Sequence, residues 1–388
     1  MIYLFSLVLC LWLTWRYDVA GYTKGKWCWF YLLLAWFICV SGFQYMVGSD
    51  TPNYMEAYQN NYNRWKFDAE EMGGRYQPGW VLLNYCCKQI TDDFVLLKLI
   101  QATFINVAVF SFFKRESKYI FLCVFLYAIT TYLIFNFNVL RQSFAIGFLL
   151  YYISYLKRDK YVLASVFLIA AFMFHNSAIL GLIILVFKFL RYNKVFFYAL
   201  TGLSFLFALF LFRMDLGELL PMLIDSGYLG GGFEEHAQIY ANSTKFEARD
   251  IRAGIGRYTQ ILLIVFTIWY YVRKKLDMFG FGIGLIFLFL QIANYSIPIC
   301  FRFRQYFDMY FYVMFASVIL DISSGRFKQI KPAAIGFCLL VYSLFPVHEY
   351  MYQYPGSPYR YFHQYYPYHS VFDKEDVDHR KINYFKWV

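Results

Sequence analysis

Long apolar runs broken by short polar stretches occupy almost the whole chain. Twelve of them approach the roughly 20 residues that take a helix across a bilayer. They lie near 1–15, 27–47, 94–113, 119–135, 139–156, 161–174, 177–190, 195–212, 258–272, 278–297, 305–321 and 332–346. This pattern predicts an all-α polytopic membrane protein of about twelve transmembrane helices, with residues 1–388 as a single integral membrane domain. Residues 1–15 have the length of a signal peptide, but no A-x-A-like site precedes Trp15-Arg16, and Trp12 and Trp15 suit an interfacial belt. They are read as a span, which leaves both termini outside.

The polar breaks are of two kinds, and the kinds alternate. Every second break carries a cationic cluster: Arg16/Lys24/Lys26, Lys114/Arg115/Lys118, Lys157/Arg158/Lys160, Lys188/Arg191/Lys194, Arg273/Lys274/Lys275 and Arg326/Lys328/Lys331. Cations near span ends are retained in the cytoplasm, so this alternation predicts the orientation of the chain. Asp50, Arg75, Arg141, His175, Arg249, Arg252, Arg302 and Arg304 then fall at the extracytoplasmic ends. Three segments on that side are long enough to hold structure: the loops 48–93 and 213–257 and the tail 347–388. Within the first, GWVLLNYCCKQI is apolar but too short to span, so it is expected in the interface or re-entering the membrane. A site built on that side faces away from ATP and nucleotide sugars.

Composition narrows the class further. A chain of 388 residues that is 60% hydrophobic and 24% aromatic does not suit a soluble domain. A net charge of +11 would suggest nucleic acid in a soluble protein. Here most of the excess sits in the cytoplasmic clusters, where topology and anionic lipid account for it, and no nucleic acid is expected. The eight cysteines form no CxxC pair and read as small buried hydrophobes. The tail is dense in Tyr, Pro and His. Such rings serve either as a headgroup belt or as stacking platforms for sugars, and composition does not separate the two uses.

Arg141, in NFNVLRQSFAIGFLL, is the most informative single residue. An ionisable group at the rim of a membrane is costly and usually faces a polar cavity or a partner. A guanidinium forks onto two oxygens and stays charged, which suits a diphosphate, whereas the plain alternative is an arginine snorkelling to headgroups. Asn138 and Gln142 beside it favour the ligand. His175, in FMFHNSAIL, can act as a base or as a donor to a phosphate, or simply end a helix capped by Asn176 or Ser177. Asp50, in GSDTPNY, is either a functional acid or an N-cap shared with Thr51. Arg302 and Arg304 begin a span after Pro298, and their i, i+2 step is read as placing them on opposite sides of an extended segment, so that one faces a cavity. Arg249, Arg252 and Arg257 form a further cluster, with 249 and 252 on one helix face. A basic rim on the side where topology predicts few cations calls for an anionic ligand. No second His or carboxylate stands at ligand spacing, so no metal and no other cofactor is expected. Activity lost to EDTA and restored by a divalent ion would overturn that expectation.

VGSDTPNYMEAY, then FNVLRQSFAIGFLLYYISYLKRDKY, IAAFMFHNSAIL and FRFRQYF, resemble the EpsG family of Wzy-like polysaccharide polymerases. That family shows a G-x-D-x-x-x-Y start, an N-x-x-R-Q span opening, an A-x-x-F-H-x-[ST]-A span end and a later R-x-x-Y stretch. The likeness runs from about residue 45 to 310, and YYPYHSVF resembles the family's terminal aromatic-proline segment. The doubled arginine is a departure from the pattern; Arg304 is taken as the family's arginine and Arg302 as its neighbour. The resemblance implies a GT-C-like or Wzy-like fold in a bacterial cytoplasmic (inner) membrane. It implies a glycosyltransferase that joins lipid-linked repeat units for O-antigen, capsule or exopolysaccharide on the periplasmic or extracellular side. The donor would be a growing glycan on polyprenyl (undecaprenyl) diphosphate, passed to the non-reducing end of a new repeat unit. The partners implied are this polyprenyl-diphosphate-linked oligosaccharide, membrane lipid and a chain-length regulator. On that reading Arg141, with Gln142, Arg304, Arg302, Arg252, Arg75 and Tyr54, binds substrate, and His175 or Asp50 supplies the base.

A flippase for lipid-linked sugars would also be polytopic, but it should show paired halves or broken helices in matching positions, and no such symmetry is visible. A glycan ligase or membrane acyltransferase would need more than His175 in its HNS segment. A structural scaffold would leave the arginines without purpose. GYLGGGF and FGFGIG follow no strand and lack a P-loop lysine, so neither reads as a nucleotide site.

Overall fold

Described in the computed structural model are residues 1–62, 76–189, 251–275, 277–295, 300–322, 331–353 and 358–375, with a few single positions between 195 and 206. All regular structure among them is helical. The chain divides into two compact units, Met1–Gly181 with Ser323–Phe385, and Leu182–Ile322 with the last three residues.

In the first unit α1 (Ile2–Leu13) runs into a wide π-helical turn, Thr14–Val19. α2 (Lys26–Gly42) returns beside it, with Trp36 Nε1 donating to Ser6 Oγ at 2.9 Å. α3 (Thr51–Asn60) and α4 (Pro78–Ile90) follow, and α5 (Val95–Glu116) and α6 (Ile120–Thr130) form the interior. α7 (Leu140–Lys157) packs along α8 (Tyr161–Phe174), with Gly147 admitting the Phe104 ring of α5. α13 (Lys331–Met351) closes the unit beside α6, where Tyr350 donates to Thr130 O at 3.3 Å.

Three basic loops of this unit meet at one end among the described residues. Lys26 pairs with Asp18 at 3.9 Å, and Asp18 also accepts from Leu122 N at 2.8 Å. Lys114 donates to Tyr31 at 2.9 Å, and Lys157 pairs with Glu116 at 3.0 Å. Segments 43–50, 134–141 and 358–375 join at the other end. Between the ends, α8 presents Val162, Val166, Ile169 and Phe172 outward, and α1 presents Leu4, Phe5, Val8 and Leu11. Apolar faces of this extent suit lipid rather than water.

The second unit contains most of α9 (Gly181–Lys188), with α10 (Ile251–Lys275), α11 (Met278–Asn294) and α12 (Cys300–Ile322). The FGFGIG stretch lies in α11, where Gly284 meets Ile268 of α10 and Gly282 meets Phe187. Those glycines serve helix packing, not phosphate. GYLGGGF lies outside the described residues.

The hydrophobic pattern places α5, α7, α8 and α11 within about three residues and is looser elsewhere. Two described helical stretches, Ile2–Val19 and Val95–Glu116, are long and apolar enough to cross a bilayer. The others that are apolar are shorter, with 10–17 residues each, so helix length by itself does not establish twelve crossings. Residues 119–135 are not one regular α-helix: α6 stops at Thr130, and the chain goes on into a π turn at Ile134–Asn138. The loop 48–93 holds α3 and α4, and the short apolar run is α4, which buries Trp80, Val81 and Cys87 and leaves Leu82 and Ile90 exposed.

Candidate active site around Arg141

The π turn at Ile134–Asn138 organises this end of the first unit. Such a turn leaves its last carbonyls without the usual helical donors. Each finds one elsewhere. Gln101 donates to Phe135 O at 3.0 Å, the Lys98 ammonium donates to Asn136 O, and Thr51 Oγ1 donates to Phe137 O. Lys98 is fully buried in α5, also donates to Gln101 Oε1 at 2.6 Å, and lies over the Phe137 ring. Asn136 itself is held by Asn106 and Tyr127 at 2.9 and 3.0 Å.

Asn138, the first residue of the N-x-x-R-Q pattern, joins three segments. Its Oδ1 accepts from Ser49 N at 3.1 Å, and its Nδ2 donates to Gln364 Oε1 at 2.8 Å and to Tyr365 OH at 2.9 Å. Gly48 N donates to Gln364 O at 2.8 Å. Gly48 adopts φ +95°, and any Cβ there would strike Phe137 O and Asn138 Oδ1. The GSDT start, the NFN turn and the aromatic tail therefore form one hydrogen-bonded corner.

Just past that corner α7 begins, with Arg141 in its first turn. Its Nε donates to Tyr54 OH at 3.4 Å and its Nη1 to Gln77 Oε1 at 3.3 Å, and its guanidinium lies 4.7 Å from the Tyr76 ring centroid. Tyr54 comes from α3 and Gln77 from the start of α4. Behind them Tyr58, Trp80, Leu140 and Phe144 form an apolar cluster that fixes both helices to α7. Tyr62 belongs to the same group: burial raises its phenol pKa, Tyr76 adds to the rise, and Trp80 and Arg141 oppose it. Gln142, the next residue, is buried about 100° further round α7.

Asp50 precedes α3 as its N-cap residue, but its carboxylate makes no capping bond, while Thr51 is committed to Phe137. Ser49 Oγ donates to Asp50 Oδ1 at 3.4 Å. Burial holds the Tyr361 and Tyr365 phenols above their usual range, and the Asp50 charge adds to that, which places the carboxylate beside the tail. His175 ends α8 and caps the short turn after it. Its Nδ1 is 3.3 Å from Ser177 N, which donates to it, and 2.6 Å from Ser177 Oγ. The Phe174 ring before it stacks on Phe144 at 4.8 Å, and Gly79, in the first turn of α4, lies against Met173 O. Arg141, Tyr54 and His175 are thus carried by helices that pack on one aromatic cluster.

The second unit holds Arg302, Arg304 and Arg257. Arg304 pairs with buried Asp308 at 3.2 Å, donates to Gln291 Oε1 and lies 5.1 Å from the Phe301 ring centroid. The start of α12 is helical, not extended. Arg302 and Arg304 are separated because two helical steps turn about 200°; a strand would put them on one face. Arg252 lies in α10, with its side chain outside the described residues, as are Arg75 and Arg249. Arg257 lies over the Tyr295 ring at 5.4 Å.

Sequence reasoning missed Lys98, Gln101, Asn106, Asp308 and Gln364. The i, i+3 pair Lys98/Gln101 in an otherwise apolar run was the available signal. Among the described residues no three His, Cys, Asp or Glu side chains gather as a metal-binding group. No curated protein and no solved structure matches the chain. The model of the EpsG family matches residues 27–370, nearly the whole chain, and takes in the G-x-D, N-x-x-R-Q and F-H-x-S segments that meet here. With that match, the chain belongs to the EpsG family of Wzy-like polysaccharide polymerases.

Proposed function

We propose that this membrane protein lengthens a polysaccharide by moving the growing glycan from polyprenyl diphosphate to the non-reducing end of a new lipid-linked repeat unit. The family supports a glycosyltransferase-like polymerase in exopolysaccharide or O-antigen synthesis; the donor and the direction of transfer are this proposal. So are a multi-pass fold of about twelve spans in a bacterial cytoplasmic membrane, GT-C-like in plan, and a site on its outer face. The gathering of three basic loops at the opposite end of the first unit supports that orientation.

In the reaction the bond between the anomeric carbon and the diphosphate oxygen breaks, an acceptor hydroxyl oxygen bonds to that carbon, and the hydroxyl proton passes to a base. Negative charge grows on the departing diphosphate. Arg141 carries the reading: a fixed guanidinium, held by a phenol, an amide and a ring, is pre-oriented toward such charge. Tyr54 and Gln77 position it. His175 or Asp50 takes the proton, and at His175 the Ser177 contacts fix which ring nitrogen faces away from the turn.

The test is the length distribution of lipid-linked glycan in proteoliposomes, wild type against Arg141→Ala. Loss of one such donor is expected to slow extension by roughly 10²–10³-fold, leaving single repeat units in a folded protein. A persistent ladder with substrate trapped on the side of the basic loops would favour a flippase. An unchanged ladder would remove Arg141 from the chemistry.

A further inference from the structure

A recess lies in the first unit on the face of α3 turned away from Arg141. Tyr54 and Tyr58 turn toward Arg141 and Trp80, while Met55 and Gln59, one helical step further round, line a cavity of about 250 Å³. Its other walls are Gln44 and Tyr45 from the end of α2, Asp93 and Phe94 from the start of α5, and Lys374 from the docked tail. The volume falls just below the roughly 300–1,000 Å³ of drug-sized pockets, which suits one sugar ring rather than an oligosaccharide.

The lining has carbohydrate chemistry. The Gln59 amide, one carboxylate and one ammonium offer donors and acceptors side by side, as adjacent hydroxyls require, and Tyr45 and Phe94 supply aromatic surface. The charges balance: Lys374 Nζ lies 4.0 Å from Asp93 Oδ2. A diphosphate would find no net attraction here, in contrast to Arg141.

We propose that this cavity is a subsite for one pyranose of the lipid-linked glycan, separated by α3 from the arginine that meets the diphosphate. The proposal rests on the polymerase reading above, and its test keeps the two apart. Gln59 is exposed, and its side chain supports no element, so Gln59→Leu alters the lining alone. Asp93→Asn keeps the bond to Val95 N that starts α5 and removes the charge. Two measurements are made on the purified full-length protein, both variants and Arg141→Ala. One is saturation-transfer NMR with methyl glycosides of glucose, galactose, N-acetylglucosamine and N-acetylgalactosamine. The other is extension of lipid-linked repeat units isolated from the producing cell.

At least one glycoside is expected to bind wild type and Arg141→Ala but not the two lining variants. Those variants should raise KM for the repeat unit about tenfold, the order expected for one lost hydrogen bond, with kcat little changed. Glycoside binding with no extension by wild type would leave the subsite standing and overturn the polymerase. Extension by wild type with KM unchanged in both lining variants would overturn the subsite alone. Neither binding nor extension would overturn both.

Discussion

Removing the Asn138 side chain tests the corner that joins three distant segments. In Asn138→Ala, Ser49 N, Gln364 Oε1 and Tyr365 OH lose a partner at once. Asn138 is 7% exposed, so water replaces it poorly. A buried group left unsatisfied costs about 1–3 kcal/mol. The three are neighbours and not additive, and Gly48 N still holds Gln364 O, so about 3 kcal/mol is a fair total. At 1.4 kcal/mol per factor of ten, that raises the undocked fraction of the tail roughly a hundredfold. The assay places a cysteine at His369, buried in the docked tail with neither ring nitrogen hydrogen-bonded among the described residues, in a variant whose exposed native cysteines are replaced, and follows maleimide labelling in detergent. Faster labelling and a shortened glycan ladder are expected together. Asn138→Asp keeps the acceptor for Ser49 N, and the Tyr365 hydroxyl can turn to donate to the carboxylate, so it should fall between. If Asn138→Ala labels at the wild-type rate and keeps the full ladder, the corner contributes nothing and the reasoning is wrong.

Other substitutions probe the same end of the unit. Gly48→Ala must adopt a left-handed φ and collide with Phe137 O, so a loss of at least about 2 kcal/mol is expected in thermal unfolding in detergent. Lys98→Met deprives Gln101 Oε1 and Asn136 O of their donor and should cost about 2–4 kcal/mol by the same measure; an unchanged melting temperature would show that the lysine is dispensable to the turn. His175→Asn retains a side-chain acceptor for Ser177 N, so the fold should survive while extension slows by about 10²-fold or more if the imidazole is the base. Full activity in that variant would reduce His175 to a cap and shift attention to Asp50→Asn, measured the same way.

Much of the helical plan was legible because lipid demands long apolar runs, and α5, α7 and α8 start and stop within a few residues of where hydropathy puts them. A gap at 136–138 was legible between two runs, but the stop of α6 at Thr130 and the π turn were not, since the residues around them are apolar and aromatic and a window average absorbs them. Arg141 stood out as a charge at the rim of a span, and its partner Tyr54 lay within the family's first motif. Lys98 is the reverse case. Its charge sits deep in a run that reads as a span, and only the carbonyls released by a turn about forty residues later explain it. Arg304 likewise read as an available cation until Asp308, one helical turn on, answered it. Contacts such as Asn138 to Gln364 connect positions far apart in the chain, and no local pattern announces them.

The docked tail sets an order of assembly. Residues 358–375 are made long after the π turn, yet Gln364 and Tyr365 bond to it, His369 O accepts from Tyr45 N, and Tyr3 of the first helix donates to Tyr365 O. A ribosome that has delivered α1 to α8 has therefore built this corner with one side open. It closes only once the tail has been made, so a chain stalled or clipped before residue 358 lacks the piece that locks the GSDT segment. Quality control of the polymer thus begins with quality control of the enzyme: only a copy translated through the tail completes the corner next to Arg141.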